Sequence, residues 1–379
     1  MTRSGLATIV ISSYNYARYL SQAIESALNQ SWREMEVIVV DDGSKDHSVE
    51  VIASYGERIT PLLKENGGQG SVLNAGFLQS RGDIICFLDS DDILLPTAVE
   101  KAVELFTDGK ASKVHWPLVQ IDSEGKQGAT LLKDLAEGDL RDAVISGGPD
   151  SYSSPPTSGN AWTRAYLENV LPLTEGDWKT CPDAYLELLA PFFGEIRKVI
   201  EPQTLYRIHG RNHLLSTPYL ERVRMFDKRC QILREFLRAR GILIDPEQWA
   251  TPGYLWWKRL ISVGEEIEPF IPRGGSFILV DENEFGQGQL VPGRHAYPFL
   301  EKDDQYWGPP KDDVTAITEL KRLREKGADL LVFAWPAFWW RDHYTEFASY
   351  LGENFPCLLS NERLIIYDLH PRTGDLNGR

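Results

Sequence analysis

The chain has 379 residues, 42% of them apolar and 25% charged, which is enough for two domains with real cores and ordinary for a soluble globular protein. A formal net charge of −15 excludes nucleic acid or an anionic membrane as a general partner. An anionic small substrate must then be held by a metal ion or by local amides rather than by a basic surface. Cys86, Cys181, Cys230 and Cys357 are scattered with no CxxC pair, so reduced thiols in a cytoplasmic protein are expected. The first residues run straight into a strand, so no signal peptide is expected. The most apolar late run, 330–340, is broken by Pro336 and too short to span a bilayer, which limits any membrane contact to peripheral association.

In chain order, residues 6–12 (LATIVIS) read as a buried first strand. The polar turn Ser13-Tyr14-Asn15-Tyr16 follows, then helical spacing of apolar residues from Tyr19 to Leu28. Residues 36–40 form a second strand ending in Asp41-Asp42-Gly43-Ser44, with Ser44 placed to cap a helix through Tyr55. Residues 59–63 give a third strand, and a glycine-rich turn over 65–71 opens a helix over 72–79. Residues 84–88 are continuously apolar and too short for a helix, as suits the middle of a parallel sheet covered on both faces. This alternation implies right-handed parallel βαβ units. The first βα turn lacks G-x-G-x-x-G, Gly68-Gln69-Gly70 has Leu73 where a third glycine is needed, and no GxxxxGK[ST] occurs, which argues against dinucleotide and P-loop chemistry.

The fourth strand breaks into Asp89-Ser90-Asp91-Asp92. These acids lie just past its carboxyl end, where open α/β sheets place their ligands. Crowded carboxylates repel unless they share a cation, and hard oxygen donors suit Mg²⁺ or Mn²⁺; the alternative is a turn that caps the next helix. Residues 114–121 read as one further strand. Residues 147–159 (GGPDSYSSPPTSG) read as a mobile loop, either a lid or an inert linker. A basic-faced helix over 220–240 is stopped by Gly241. The organisation expected is a larger α/β domain over 1–241, a helical connector over 242–274, and a small three-layer α/β domain over 275–379, flavodoxin-like or Rossmann-like in outline. Trp335, Phe338, Trp339, Trp340 and Tyr344 form an aromatic group there, suited to core or interdomain packing or to stacking on a ligand.

The ordered set IVISSYNYARYLSQAIESALNQ, EVIVVDDGSKDHS, a Gly/Asn-rich helix start and GDIICFLDSDD resembles a family 2 glycosyltransferase over about residues 5–215. The resemblance implies a GT-A-type nucleotide-binding α/β domain with a mostly parallel central sheet. It also implies metal-dependent, inverting transfer from a nucleotide-sugar, with UDP as the expected nucleotide, to a hydroxyl of a glycan, lipid-linked glycan or small molecule. By the same resemblance Tyr14 stacks on the base near Ser12, and Asp42 accepts a hydrogen bond from it. Asn74 and Ser90 join the donor site, Asp89 lies near the ribose, and Asp91 and Asp92 hold Mn²⁺ or Mg²⁺ beside the diphosphate. Leu73 stands where many relatives carry an arginine. Asp183, at the start of a helix closed by Gly194-Glu195-Ile196, is the expected base, with Asp177 and Glu187 as fallbacks. Tyr206-Arg207-Ile208-His209 looks like the family's YRxH segment, which makes His209 a metal ligand or a structural histidine and offers Arg207 or Arg211 to a phosphate. The His209/His213 spacing is not a zinc-protease helix, because Gly210 replaces the needed glutamate. Two alternatives stand beside this reading. A sugar-nucleotidyltransferase requires a lysine-containing, glycine-rich first loop, which Ser12-Ser13-Tyr14-Asn15 is not. A nucleotide-sugar or glycan-binding module without turnover is left open by Leu73.

Overall fold

The computed structural model describes residues 5–174, 176, 178–209, 219–285 and 290–370, so Asp177 and Arg211 lie outside the described residues. The chain divides into two compact units, Met1–Thr217 with Met225–Ala250, and Pro218–Arg224 with Thr251–Arg379.

The first unit is built on four parallel strands, β1 (Ala7–Ser13), β2 (Met35–Asp41), β3 (Thr60–Leu63) and β4 (Ile84–Asp89). In β1, β2 and β4 successive side chains are buried on both faces, which is why these strands read as unbroken apolar runs, whereas β3 is an exposed edge strand. One face carries Ile9, Ile11, Val37, Val39, Cys86 and Leu88 against helix α1 (Ala17–Leu28), through Leu20, Ala23, Ile24 and Ala27. The register puts Ser12 beside Asp89 and Ser13 beside Asp41, so all three strands turn polar at the same level. Helix α2 (Ser48–Ser54) starts later than expected. Ser44 does not cap it: its hydroxyl and N–H donate to Asp41 at 2.6 and 2.9 Å and close the turn instead. Helix α3 (Gln69–Gln79) follows β3.

After β4 come β5 (Ile93–Leu94) and helix α4 (Ala98–Phe106). The single strand expected over 114–121 is two, β6 (Ala111–His115) and β7 (Leu118–Ile121), parted at Trp116-Pro117. Proline has no N–H to donate, so the ladder ends there and the chain crosses to another sheet. With β8 (Gln127–Leu131), β9 (Asn160–Thr163), β10 (Glu195–Lys198) and β11 (Thr204–Arg207), the strands form a seven-stranded sheet of order β10-β6-β9-β4-β1-β2-β3 and a four-stranded sheet β5-β11-β7-β8. Only β9 runs antiparallel in the larger sheet. Residues 147–159, expected as a mobile loop, are packed: Gly148, Pro149, Thr157, Ser158 and Gly159 are buried, and the Asp89 N–H donates to Ser158 Oγ at 3.1 Å. Among the described residues, helices α5 (Arg141–Gly147), α6 (Arg164–Leu167) and α7 (Asp183–Leu189) precede the long helix α8 (Tyr219–Arg238).

The second unit is a mixed sheet, β13-β12-β16-β18-β17, of β12 (Ser276–Val280), β13 (His295–Pro298), β16 (Ala328–Ala334), β17 (Cys357–Ser360) and β18 (Leu364–Asp368), with a hairpin of β14 (Glu301–Lys302) and β15 (Gln305–Tyr306). Helices α10 (Asp313–Glu325) and α12 (Thr345–Asn354), which flank the one-turn α11 (Trp340–His343), pack on one face. Helix α9 (Pro252–Ile267) covers the other through Leu260, Val263 and Ile267. The segment expected as a connector is therefore one of this unit's layers. The aromatic group is mainly core: Trp340 and Tyr344 are buried, and Trp335 packs edge-on against Trp256.

Candidate functional site

A cavity of about 440 Å³ opens where β1 and β4 end. Ser12, Tyr14, Asp42, Asp89, Ser90, Asp91 and Asp183, all expected from the sequence, line it, and so do Tyr16, Gln69, Thr157, Lys179 and Cys181. The Tyr14 ring is 45% exposed, which sets it apart from a core aromatic and leaves a face for stacking. Asp183 is the first residue of α7, and its Oδ1 accepts the Ala184 N–H at 3.1 Å.

Crowding sets the charge states. Burial, then the charges of Asp91 and Asp183, drives the Asp89 carboxyl well above the usual carboxylate range. Asp92 is raised likewise by burial and by Asp91 and Asp89. Asp183 is pushed up to about 6 by burial and by the Glu187 carboxylate, while the Ala184 N–H pulls the other way. A carboxylate at that value is ionised at neutral pH and still basic enough to take a proton.

Several expected roles fall elsewhere. Asn74 is off the cavity wall: its side chain accepts the Leu173 N–H at 2.7 Å and donates to the Leu173 carbonyl at 2.9 Å, clamping the segment that leads towards Asp183. Arg207 is buried, and its guanidinium donates to the Asp91 and Asp122 carbonyls and to Gln22, so it is committed to the protein rather than to a phosphate. The expected trio Asp91, Asp92 and His209 is not assembled. Asp92 faces inward, with Oδ1 accepting the Arg207 N–H at 2.9 Å and Oδ2 buried without a hydrogen bond. His209 Nε2 does reach Asp91 Oδ2, at 2.9 Å, and lies 3.3 Å from the Tyr16 hydroxyl. Among the described residues no group of three His, Cys, Asp or Glu side chains converges as a metal cage. One carboxylate and one imidazole do fit an ion that completes its shell with substrate phosphate oxygens and water, as Mg²⁺ and Mn²⁺ commonly do.

Asp42 is saturated. It accepts Lys64 Nζ at 2.8 Å, the Gly67 and Gly68 N–H groups at 2.9 and 2.8 Å, and Asn66 Nδ2 at 3.1 Å. It orders the 64–68 loop that walls the cavity. The 178–181 wall carried no sequence signal. Gln69 and Gly70 at the start of α3 donate their N–H groups to the Lys179 and Trp178 carbonyls at 2.9 and 2.8 Å, and Cys181 N–H donates to Gln69 Oε1 from 112 positions away. Backbone contacts at that separation leave no periodicity to read. Tyr16, by contrast, sits in the same short turn as Tyr14 and was open to notice.

Residues 8–141 match the family model described as Glycosyl transferase family 2, a span that contains Ser12, Tyr14, Asp42 and the Asp89–Asp92 acids. An uncharacterized glycosyltransferase of Nostoc sp. (strain PCC 7120) is 38% identical over 220 residues, covering 55% of this chain and 66% of that protein. An uncharacterized glycosyltransferase of Rickettsia prowazekii (strain Madrid E) is 43% identical over 102 residues, 27% of this chain and 32% of that protein. The chain thus spans less than two thirds of the length of these relatives. Among solved structures, S. aureus TarS 1-349 in complex with UDP-GlcNAc is similar with a TM-score of 0.47 at 18% identity, covering 69% of this chain and 80% of that one. The stretch that carries these motifs is thus similar to glycosyl transferase family 2, by the family match over residues 8–141 and by the Nostoc relative.

Proposed function

We propose that the chain transfers a sugar, with inversion, from a UDP-sugar to an acceptor hydroxyl. The observation that carries this reading is the meeting of Tyr14, Asp89, Ser90, Asp91 and Asp183 on one cavity at the ends of β1 and β4. Tyr14 stacks on the base. The Asp42-ordered loop shapes the base pocket, because the carboxylate itself is already filled by protein donors. Asp183 takes the proton of the acceptor hydroxyl as the acceptor oxygen forms its bond to the anomeric carbon. The bond from that carbon to the diphosphate oxygen breaks in the same displacement, and the electron pair leaves with the nucleoside diphosphate. Asp91 and His209 are the residues that would hold Mn²⁺ or Mg²⁺, and the ion would supply positive charge to the departing diphosphate.

The test is release of UDP from a panel of UDP-sugars and acceptors in Mn²⁺, with UDP binding measured for wild type and Asp91→Ala. We expect UDP release by wild type and weaker UDP capture by the variant in the presence of metal. No release with any pair, together with unchanged capture by Asp91→Ala, overturns the proposal.

A further inference from the structure

We propose that Lys179 is the residue that takes up the diphosphate of the donor, an inference that rests on the donor reading above. Among the described residues, the cavity wall carries four carboxylates, Asp42, Asp89, Asp91 and Asp183, and a single Lys or Arg side chain, Lys179. A nucleoside diphosphate brings further negative charge into that field and needs a cation besides any metal ion. Among the described residues, three other bases of this unit are engaged elsewhere: Lys64 pairs with Asp42 at 2.8 Å, Lys113 donates to Ser154 Oγ, and the Arg207 guanidinium bonds carbonyl oxygens. Leu73 is buried in α3 and off the wall.

Two amides at the start of α3 are already taken. Helix N-terminal amides are natural phosphate donors, but here those of Gln69 and Gly70 are filled by the Lys179 and Trp178 carbonyls. The same two bonds fix where the Lys179 backbone lies. Gly68 locks it further: at φ +85°, its missing Cβ would stand 2.7 Å from Lys179 Cα. The chain thus spends the positive end of a helix on anchoring one lysine and leaves the anion to that lysine's ammonium group. Lys179 also lies four positions before Asp183, on the stretch that carries the proposed base into the cavity wall.

The experiment is calorimetric binding of UDP, GDP, dTDP and CDP and of their parent nucleosides, to wild type, Lys179→Ala and Lys179→Arg, each with Mn²⁺ and with EDTA. For the diphosphate that binds wild type, Lys179→Ala should weaken it about 10- to 100-fold, the worth of a hydrogen bond to a charged group. The nucleoside should bind as before, and Lys179→Arg should stay within a few-fold of wild type. Diphosphate binding unchanged in Lys179→Ala overturns the role of Lys179 and leaves the donor reading standing. Equal losses for diphosphate and nucleoside, or an arginine variant as weak as the alanine one, overturn it also, since each would mark a structural role. Wild type that binds none of the diphosphates overturns the donor reading itself.

Discussion

Asp183 sits in a place where a carboxylate is costly to ionise, and that cost has two readouts. Its folded value of about 6 stands above the ordinary 3.8, so the folded chain holds this proton more tightly than the unfolded chain does. The penalty is absent below about pH 4, grows between pH 4 and 6, and is fully present above that, where the gap corresponds to about 3 kcal/mol. Asp183→Asn should therefore raise the unfolding midpoint at pH 8, with the gain shrinking as pH falls from 7 towards 4, followed by thermal melts across that range. The same variant should lose transfer activity by about 100-fold or more, and wild-type kcat/KM should fall tenfold per pH unit below about 6. A stability gain without an activity loss would demote Asp183 to a structural acid. Its place at a helix start made Asp183 an ordinary acid, and only the family resemblance made it the expected base; its perturbation comes from burial, which is not visible along the chain, and then from Glu187 one helical turn on.

At the level of elements, the strands were legible because both faces of the sheet are covered, leaving Ile9 to Ile11, Val37 to Val40 and Ile84 to Leu88 without polar interruption. The acids at the strand ends were legible for the same reason, as the first polar residues after buried runs. The single strand expected over 114–121 failed at Pro117, a one-residue signal outweighed by its apolar neighbours. The contact between α3 and residues 178–181 was not legible, since it joins carbonyls to amides and no side-chain pattern encodes it. Gly68 is its weak point. A Cβ there meets Lys179 Cα at 2.7 Å and its carbonyl oxygen at 2.8 Å, in a left-handed conformation that suits glycine. Gly68→Ala should lower stability by about 1–3 kcal/mol and raise the donor KM more than it lowers kcat. Melting and steady-state kinetics together check this.

On the scale of the whole molecule, two units enclose separate cores, one around β1, β2 and β4 and the other on both faces of β12, β16 and β18. The second unit was foreseen as three-layered, but its covering helix was mistaken for a linker, because 252–267 follows a Pro- and Gly-bearing stretch and its apolar face shows only against a sheet formed later in the chain. Two cores predict two calorimetric transitions. A nucleoside diphosphate with Mn²⁺, at a hundredfold above its dissociation constant, should raise the midpoint of the first unit's transition by about 5 °C or more and leave the other in place. The thiols divide along similar lines. Cys86 and Cys230 are buried, and burial holds both near 12, far from the reactive thiolate. Cys357 is exposed in the second unit, whereas Cys181 is half-buried on the cavity wall, two positions before Asp183. A donor bound as proposed should therefore slow alkylation of Cys181 and leave that of Cys357, on the same polypeptide, unchanged as an internal clock.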